Sequence, residues 1–451
     1  MSIDNSWLIT NARMVNEGTI QEVDVRIRGE WIERIDASIQ PVVGEQVMNA
    51  EGKFLMPGMI DDQVHFREPG LTTKGTIFSE SRAAVAGGIT SYMEMPNVNP
   101  ATTTIERLEQ KFDLASQKSL ANYSFYMGAS NDNLEQIRRL NPERICGVKV
   151  FMGASTGNLL VDDDTALEGV FRESPVLIVT HCEDNARIQA NTRKLTETRP
   201  PEAFVAADHP VLRDDEACYL SSSKAVELAR RYQSQLHVLH ITTAKELSLF
   251  RAGDVASKSI TAEACVHHLW FSDQDYATRQ NLIKCNPAVK SAADRQALLE
   301  AVNSDVIDVI ATDHAPHTLQ EKQQAYIQAP AGLPLVQHAL LSLFDQVKRG
   351  HMSVETLVRK VAHNPAIRYE IDLRGFIREG YYADLVLVDP KGLTPATHAS
   401  SLYKCGWTPF DGHTFQSAIS ATFVNGTLMY DGKQVMDSHR PARALTFHRH
   451  L

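Results

Sequence analysis

An α/β architecture, a (β/α)8 TIM-like barrel joined to a small β-sandwich built from both chain ends, is what this sequence predicts, and three observations predict it. The middle of the chain repeats short, continuous apolar runs separated by helical stretches. The two ends instead alternate apolar and polar residues. Polar side chains able to do chemistry fall at the ends of the apolar runs in the middle.

The apolar runs come first. MIDDQVHF, ITSYMEMP, NYSFYMG, GVKVFMG, VLIVTHCE, LHVLHIT, SITAEACV and DVIATDHA follow one another between residues 59 and 315. Continuous apolar runs of this length are the signature of parallel strands buried on both faces. Parallel neighbours need a crossover, and IERLEQKFDLASQ, SKAVELARRYQ and ADRQALLEAVN have helical periodicity in the intervening chain. Eight such units close a barrel. At the ends, WLITNARMV, VDVRIRG and WIERID around a Gly29-Glu30 turn precede the barrel, and ADLVLVD, AISATFVNG and TLMYDGKQV follow it. Neither set has enough strands for a core of its own, so the two are expected to combine. The predicted division is residues 1–56 with 370–451 as the composite sandwich and 57–369 as the barrel.

Composition narrows the function. With 43% hydrophobic and 22% charged residues among 451, the chain can bury a substantial core, which excludes disorder. A formal charge of -10 excludes a global positive field for nucleic acid or an anionic membrane, so a small-molecule partner is expected. No apolar run approaches the ~20 residues of a membrane span, and the start, MSIDNSWLITNARMV, lacks the basic and apolar regions of a secretion signal. A cytoplasmic location is therefore expected, and apolar helix faces leave a homodimer open. The six cysteines show neither CxxC pairing nor framework spacing and read as reduced thiols.

In a barrel all C-terminal strand ends meet at one mouth, so residues far apart in sequence converge there. Gln63 and His65 end the first strand, Lys149 lies on the fourth, His181 and His240 end the fifth and sixth, and Asp313 ends the eighth. Taken singly, each histidine reads equally well as a hydrogen-bonded core residue. Together, His65, His181, His240 and Asp313 supply the imidazoles and carboxylate that a zinc-like ion takes, with room for water. Lys149 reads either as a salt-bridged lysine or, beside a dication, as an amine of lowered pKa.

PGMIDDQVHFREPG, MPNVNP, GVKVFMG, VTHCED, HVLHITT, AEACVHHL and VIATDHAPHT, with NPA and EGYYADLVLVD further on, resemble the dihydroorotases of the amidohydrolase superfamily in order and spacing, almost end to end. The resemblance implies a metal-dependent cyclic amide hydrolase, with one or two zinc ions held by His65, Lys149 as a bridging carbamate, His181, His240 and Asp313. It places Arg67 and Asn97 on the substrate carboxylate, and Asn286 and His317 on further substrate contacts. A planar guanidinium suits a carboxylate.

The family's first strand usually ends in His-x-His, and here Gln63 stands first. An amide oxygen is a poorer zinc ligand than imidazole, so that ligand position is expected to be weak or vacant, leaving one tightly held ion. The implied reaction is the reversible cyclisation of N-carbamoyl-L-aspartate to dihydroorotate in de novo pyrimidine biosynthesis, with metal-activated water and Asp313 as base and then acid. Two rivals remain. A hydantoinase or allantoinase would use a similar metal site on another ring, and a non-catalytic subunit would serve a partner such as aspartate transcarbamoylase.

Overall fold

The computed structural model describes residues 6–153 and 158–449. The first five residues, part of the stretch read for a secretion signal, lie outside them. All eight predicted barrel strands form: Met59–Val64, Ile89–Glu94, Asn122–Gly128, Gly147–Phe151, Ile178–His181, Leu236–Val238, Ile260–Cys265 and Val309–Ala311. They pair in sequence order, parallel throughout. Beyond the eighth strand, His314 bridges back in parallel to Val64, and the His65 amide donates to the His314 carbonyl at 2.7 Å. This contact between first and last strands brings His65 beside Asp313.

The crossover helices form where periodicity placed them, and their ends follow from capping. Ile105–Lys118 begins after Thr104, whose side chain accepts from the Arg107 amide, and it buries Leu108, Phe112 and Ala115. These positions, four and three residues apart, share one face. Ala292–Asn303 starts with a Ser291/Asp294 capping box, and Asp215–Tyr232 is capped by Asp214 and ends at a left-handed Gln233.

The chain ends join in one eight-stranded mixed sheet. Ser6–Asn16 is flanked by Thr19–Arg28 on one side and by Gln46–Asn49 and Phe54–Pro57 on the other. Leu385–Asp389 pairs antiparallel with Phe54–Pro57, and Ala418–Val424 and Thr427–Tyr430 extend the sheet outward. Ile9, Val25, Ile27 and Leu55 from the first half pack with Leu385 and Phe423 from the second. Each such side chain contributes roughly 1.5–3 kcal/mol on burial, and neither half can bury its own face alone. Among the described residues no helix is long and apolar enough to cross a membrane.

Two close approaches shape the barrel mouth. A Cβ on Gly70, at φ +82°, would fall 1.9 Å from the Asn99 carbonyl oxygen, so glycine lets the loop carrying Arg67 press against the loop carrying Asn97. Gly332, at φ +139°, likewise leaves no room for a Cβ, which would meet the Ala315 carbonyl at 2.4 Å.

Candidate active site

At the end of the first strand, His65 Nδ1 lies 2.7 Å from Asn97 Oδ1 and its Nε2 lies 3.1 Å from Asp313 Oδ1. Burial pulls the pKa of His65 below its usual value despite Asp313, so the ring is neutral near pH 7 and carries one N–H for two oxygens. If Nδ1–H serves Asn97, a nitrogen lone pair faces the Asp313 carboxylate, an arrangement that a cation resolves. Gln63 Nε2 also donates to Asp313 Oδ1, at 3.2 Å, while its Oε1 faces Cys265 Sγ at 3.6 Å. Burial pushes Asp313 up, but the contact with His65 and the nearby His267 and Lys149 outweigh it, and the carboxyl stays below its usual value.

His181 and His240 form a second pair. Their Nδ1 and Nε2 atoms stand 3.1 Å apart, and His181 Nε2 donates to Glu183 Oε2 at 3.0 Å. That bond leaves the His181 Nδ1 lone pair aimed at the interior, as a carboxylate behind a metal-ligating imidazole would. Burial raises Glu183, yet Arg213 and His181 overcome it and hold the carboxyl at about 2. Lys149 is fully enclosed, its ammonium 4.7 Å from the centre of the Phe151 ring. Its charge bears on His65, His181, His240 and Asp313, and burial brings it down to about 8.

Three of these residues sit in the left-handed backbone region: Arg67 at φ +71°, His240 at +41° and Asp313 at +50°. Each such conformation costs on the order of 1–3 kcal/mol for a residue with a side chain and needs outside support. Glu263 Oε1 gives that support to His240 by accepting its amide at 3.0 Å. Glu263 in turn flanks His237, whose Nε2 lies 3.2 Å from Asp62 and 3.6 Å from Glu263.

Arg67 is buried, with Nε donating to the Pro316 carbonyl at 3.0 Å and Nη2 3.1 Å from His317 Nε2. His317 Nδ1 faces the Lys74 ammonium at 3.0 Å and so must accept, which puts the ring proton on Nε2, 3.0 Å from the Ala331 carbonyl. Arg67 Nη2 therefore meets another donor. Among the described residues Arg67 forms no ion pair, and burial lowers it to about 10. Asn286 Oδ1 lies 3.0 Å from His209 Nε2, beside a cavity of about 320 Å³ that Arg213, Lys284 and Tyr326 also line.

The structure thus joins Gln63, His65, Asn97 and Asp313 by direct contacts and His181 with His240, and the charge of Lys149 bears on both groups. Arg67 lies against His317 nearby. The donor set, imidazole nitrogens with a carboxylate, suits a zinc-like ion. Residues 54–429 match the Amidohydrolase family.

The chain belongs to the amidohydrolase family.

Among its relatives, the dihydroorotase of Halobacterium salinarum is 33% identical over 416 residues, covering 91% of this chain and 94% of that protein. The dihydroorotase of Staphylococcus aureus is 30% identical over 436 residues, covering 94% and 99%. Among solved structures, L-hydantoinase (dihydropyrimidinase) from Arthrobacter aurescens superposes with a TM-score of 0.92 at 25% identity, covering 98% and 99% of the two chains. Dihydropyrimidinase from Brevibacillus agri, at 22% identity and a TM-score of 0.88 over 98% and 100%, shares the fold. This amidohydrolase is therefore a hydrolase of small molecules.

Sequence reasoning missed several side chains that hold the amidohydrolase site together. Glu183 was within reach, because it follows His181 by two residues in VTHCED. Arg213, which pairs with Glu183 at 2.5 Å, follows a short helix outside the barrel and has no local pattern to mark it. Lys74 and His209 likewise reach the site from connecting segments. The stretch from Thr318 to Gly332 is pinned: it opens with the helix Leu319–Lys322, and buried Lys322 donates to the carbonyls of Lys284, Pro330 and Gly332 at 2.9–3.0 Å.

Proposed function

We propose that this amidohydrolase is a dihydroorotase, interconverting dihydroorotate and N-carbamoyl-L-aspartate in the cytoplasm as a step of pyrimidine biosynthesis. The observation that carries this reading is Arg67, a buried guanidinium with no anion of its own among the described residues, one of whose N–H groups faces a donor. A substrate carboxylate supplies what is missing. Dihydroorotate brings one, whereas hydantoin and the unsubstituted dihydropyrimidine ring do not. The names of relatives at about 30% identity over nine-tenths of the chain support the same choice.

His65, Lys149, His181, His240 and Asp313 are the proposed metal ligands, with Gln63 the weakest position. Zinc held by them would acidify a water and polarise the ring amide carbonyl. Arg67 and Asn97 bind the carboxylate, and Asn286 and His317 complete the contacts to the ring, so the carbonyl is held at a fixed place and angle. Asp313 accepts the proton of the attacking water and returns it to the ring nitrogen as the C–N bond breaks. In the free-amine form that burial favours, Lys149 can add carbon dioxide at Nζ, losing a proton and becoming an anion.

Arg67→Lys tests the substrate assignment. A lysine keeps the charge but loses the fork, and a charge-assisted contact is worth roughly 1.5–3 kcal/mol. KM for dihydroorotate should rise about tenfold or more while metal content is unchanged. An unchanged KM would remove Arg67 from the substrate site.

A further inference from the structure

The end of the seventh strand and the turn after it carry a cluster that none of the assignments above uses. Cys265, His267 and His268 each offer one donor atom, all within 4.8 Å of one another, and all three are buried. Neither ring nitrogen of His267 closes a hydrogen bond of normal geometry, although the backbone of Thr312 lies close enough to influence the ring. His268 Nε2 donates to the Pro287 carbonyl at 3.1 Å, which fixes the tautomer and leaves Nδ1 a lone pair without a partner. A carbonyl behind one nitrogen and an open lone pair on the other is how metal-ligating imidazoles are prepared. We propose that Cys265, His267 and His268 form a soft divalent-cation site, suited to zinc, that borders the mouth cluster through Gln63.

The surroundings agree with this. Buried, unpaired imidazole nitrogens cost free energy that a ligated cation would recover. Burial keeps both rings neutral, with His267 at about 4, so neither has to lose a proton to bind. On binding, the S–H bond breaks, sulfur binds the ion as a thiolate, and the proton passes to solvent. The thiol now faces Gln63 Oε1 at 3.6 Å and Glu263 Oε1 at 3.4 Å. Where Gln63 weakens the ligand position on the first strand, the seventh strand thus offers a sulfur and two nitrogens beside it.

The readout is metal ligation and does not depend on which substrate the enzyme takes. The full chain is loaded with cobalt(II) and its near-ultraviolet spectrum recorded. The zinc-loaded protein is examined by zinc-edge X-ray absorption. The proposal expects a thiolate-to-cobalt charge-transfer band and a sulfur neighbour of zinc at about 2.3 Å. Cys265→Ser should abolish both and lower the metal content by one equivalent, His268→Gln should weaken the band, and His181→Asn should leave it. A parent protein with no thiolate band and an all nitrogen and oxygen zinc shell would overturn the proposal, as would an unchanged metal content in Cys265→Ser.

Discussion

At the scale of single residues, the site is a set of buried groups each short of one partner. His65 has one proton for two oxygens, and Arg67 points an N–H at a donor. Asp313 stands between His65 and Gln63 with its carboxyl held ionised. It is the residue proposed to move the proton. Asp313→Asn keeps the shape and removes the base, and general acid–base groups typically contribute about 100- to 10,000-fold. The variant should lose that much of kcat with unchanged far-ultraviolet circular dichroism, and a kcat within a few-fold of the parent would exclude the role. The strand-end residues were legible because a barrel forces its strand ends together, whatever their separation in sequence. The partners behind them were not, because Arg213, Lys74 and His209 come from connections whose path depends on packing rather than on periodicity.

At the scale of elements, the eight apolar runs and the helical periodicity between them made the strands and helices readable, whereas the segment from Thr318 to Gly332 did not announce its anchor. Nothing in the local pattern of EKQQAYIQAPAG marks its lysine. Yet Lys322 is buried with three backbone carbonyls around its ammonium, tying the segment to the loop of Lys284. Lys322→Met keeps the volume and takes the donor from the Pro330 and Gly332 carbonyls, while the Lys284 carbonyl keeps the Gly332 amide, and each unsatisfied buried acceptor costs about 1–3 kcal/mol. Backbone amides over residues 323–331 should exchange with deuterium at least tenfold faster, and the melting temperature should fall. Unchanged exchange there would show that the anchor is dispensable.

At the scale of the whole molecule, the sheet from both chain ends and the barrel share residues 54–57 as their seam, since Phe54–Pro57 pairs with Leu385–Asp389 and runs on into the first barrel strand. Inside the barrel, a second buried network spans Asp62, His237, Glu263 and Tyr369, whose hydroxyl lies 2.9 Å from Asp62. Burial opposes charge on His237, but the carboxyl groups of Asp62 and Glu263 beside its Nε2 prevail and raise it to about 9. A raised folded-state value means stability that is complete below pH 6.5 and lost as pH climbs through about 9. At fixed metal loading, the melting temperature should therefore fall between about pH 7 and 10, and His237→Gln should be less stable and flatter over that range. Parallel pH profiles for the two proteins would refute a charged His237.

The substrate assignment rests on one missing anion beside Arg67, and one comparison reads it most directly. Dihydroorotate and 5,6-dihydrouracil share a ring and differ by the carboxylate, so the ratio of their kcat/KM values in the zinc-loaded enzyme isolates that group. At roughly 1.5–3 kcal/mol for a charge-assisted contact, dihydroorotate should be favoured by about ten- to a hundredfold, and Arg67→Lys should shrink the ratio. Equal kcat/KM values, or a preference for 5,6-dihydrouracil, would contradict the account.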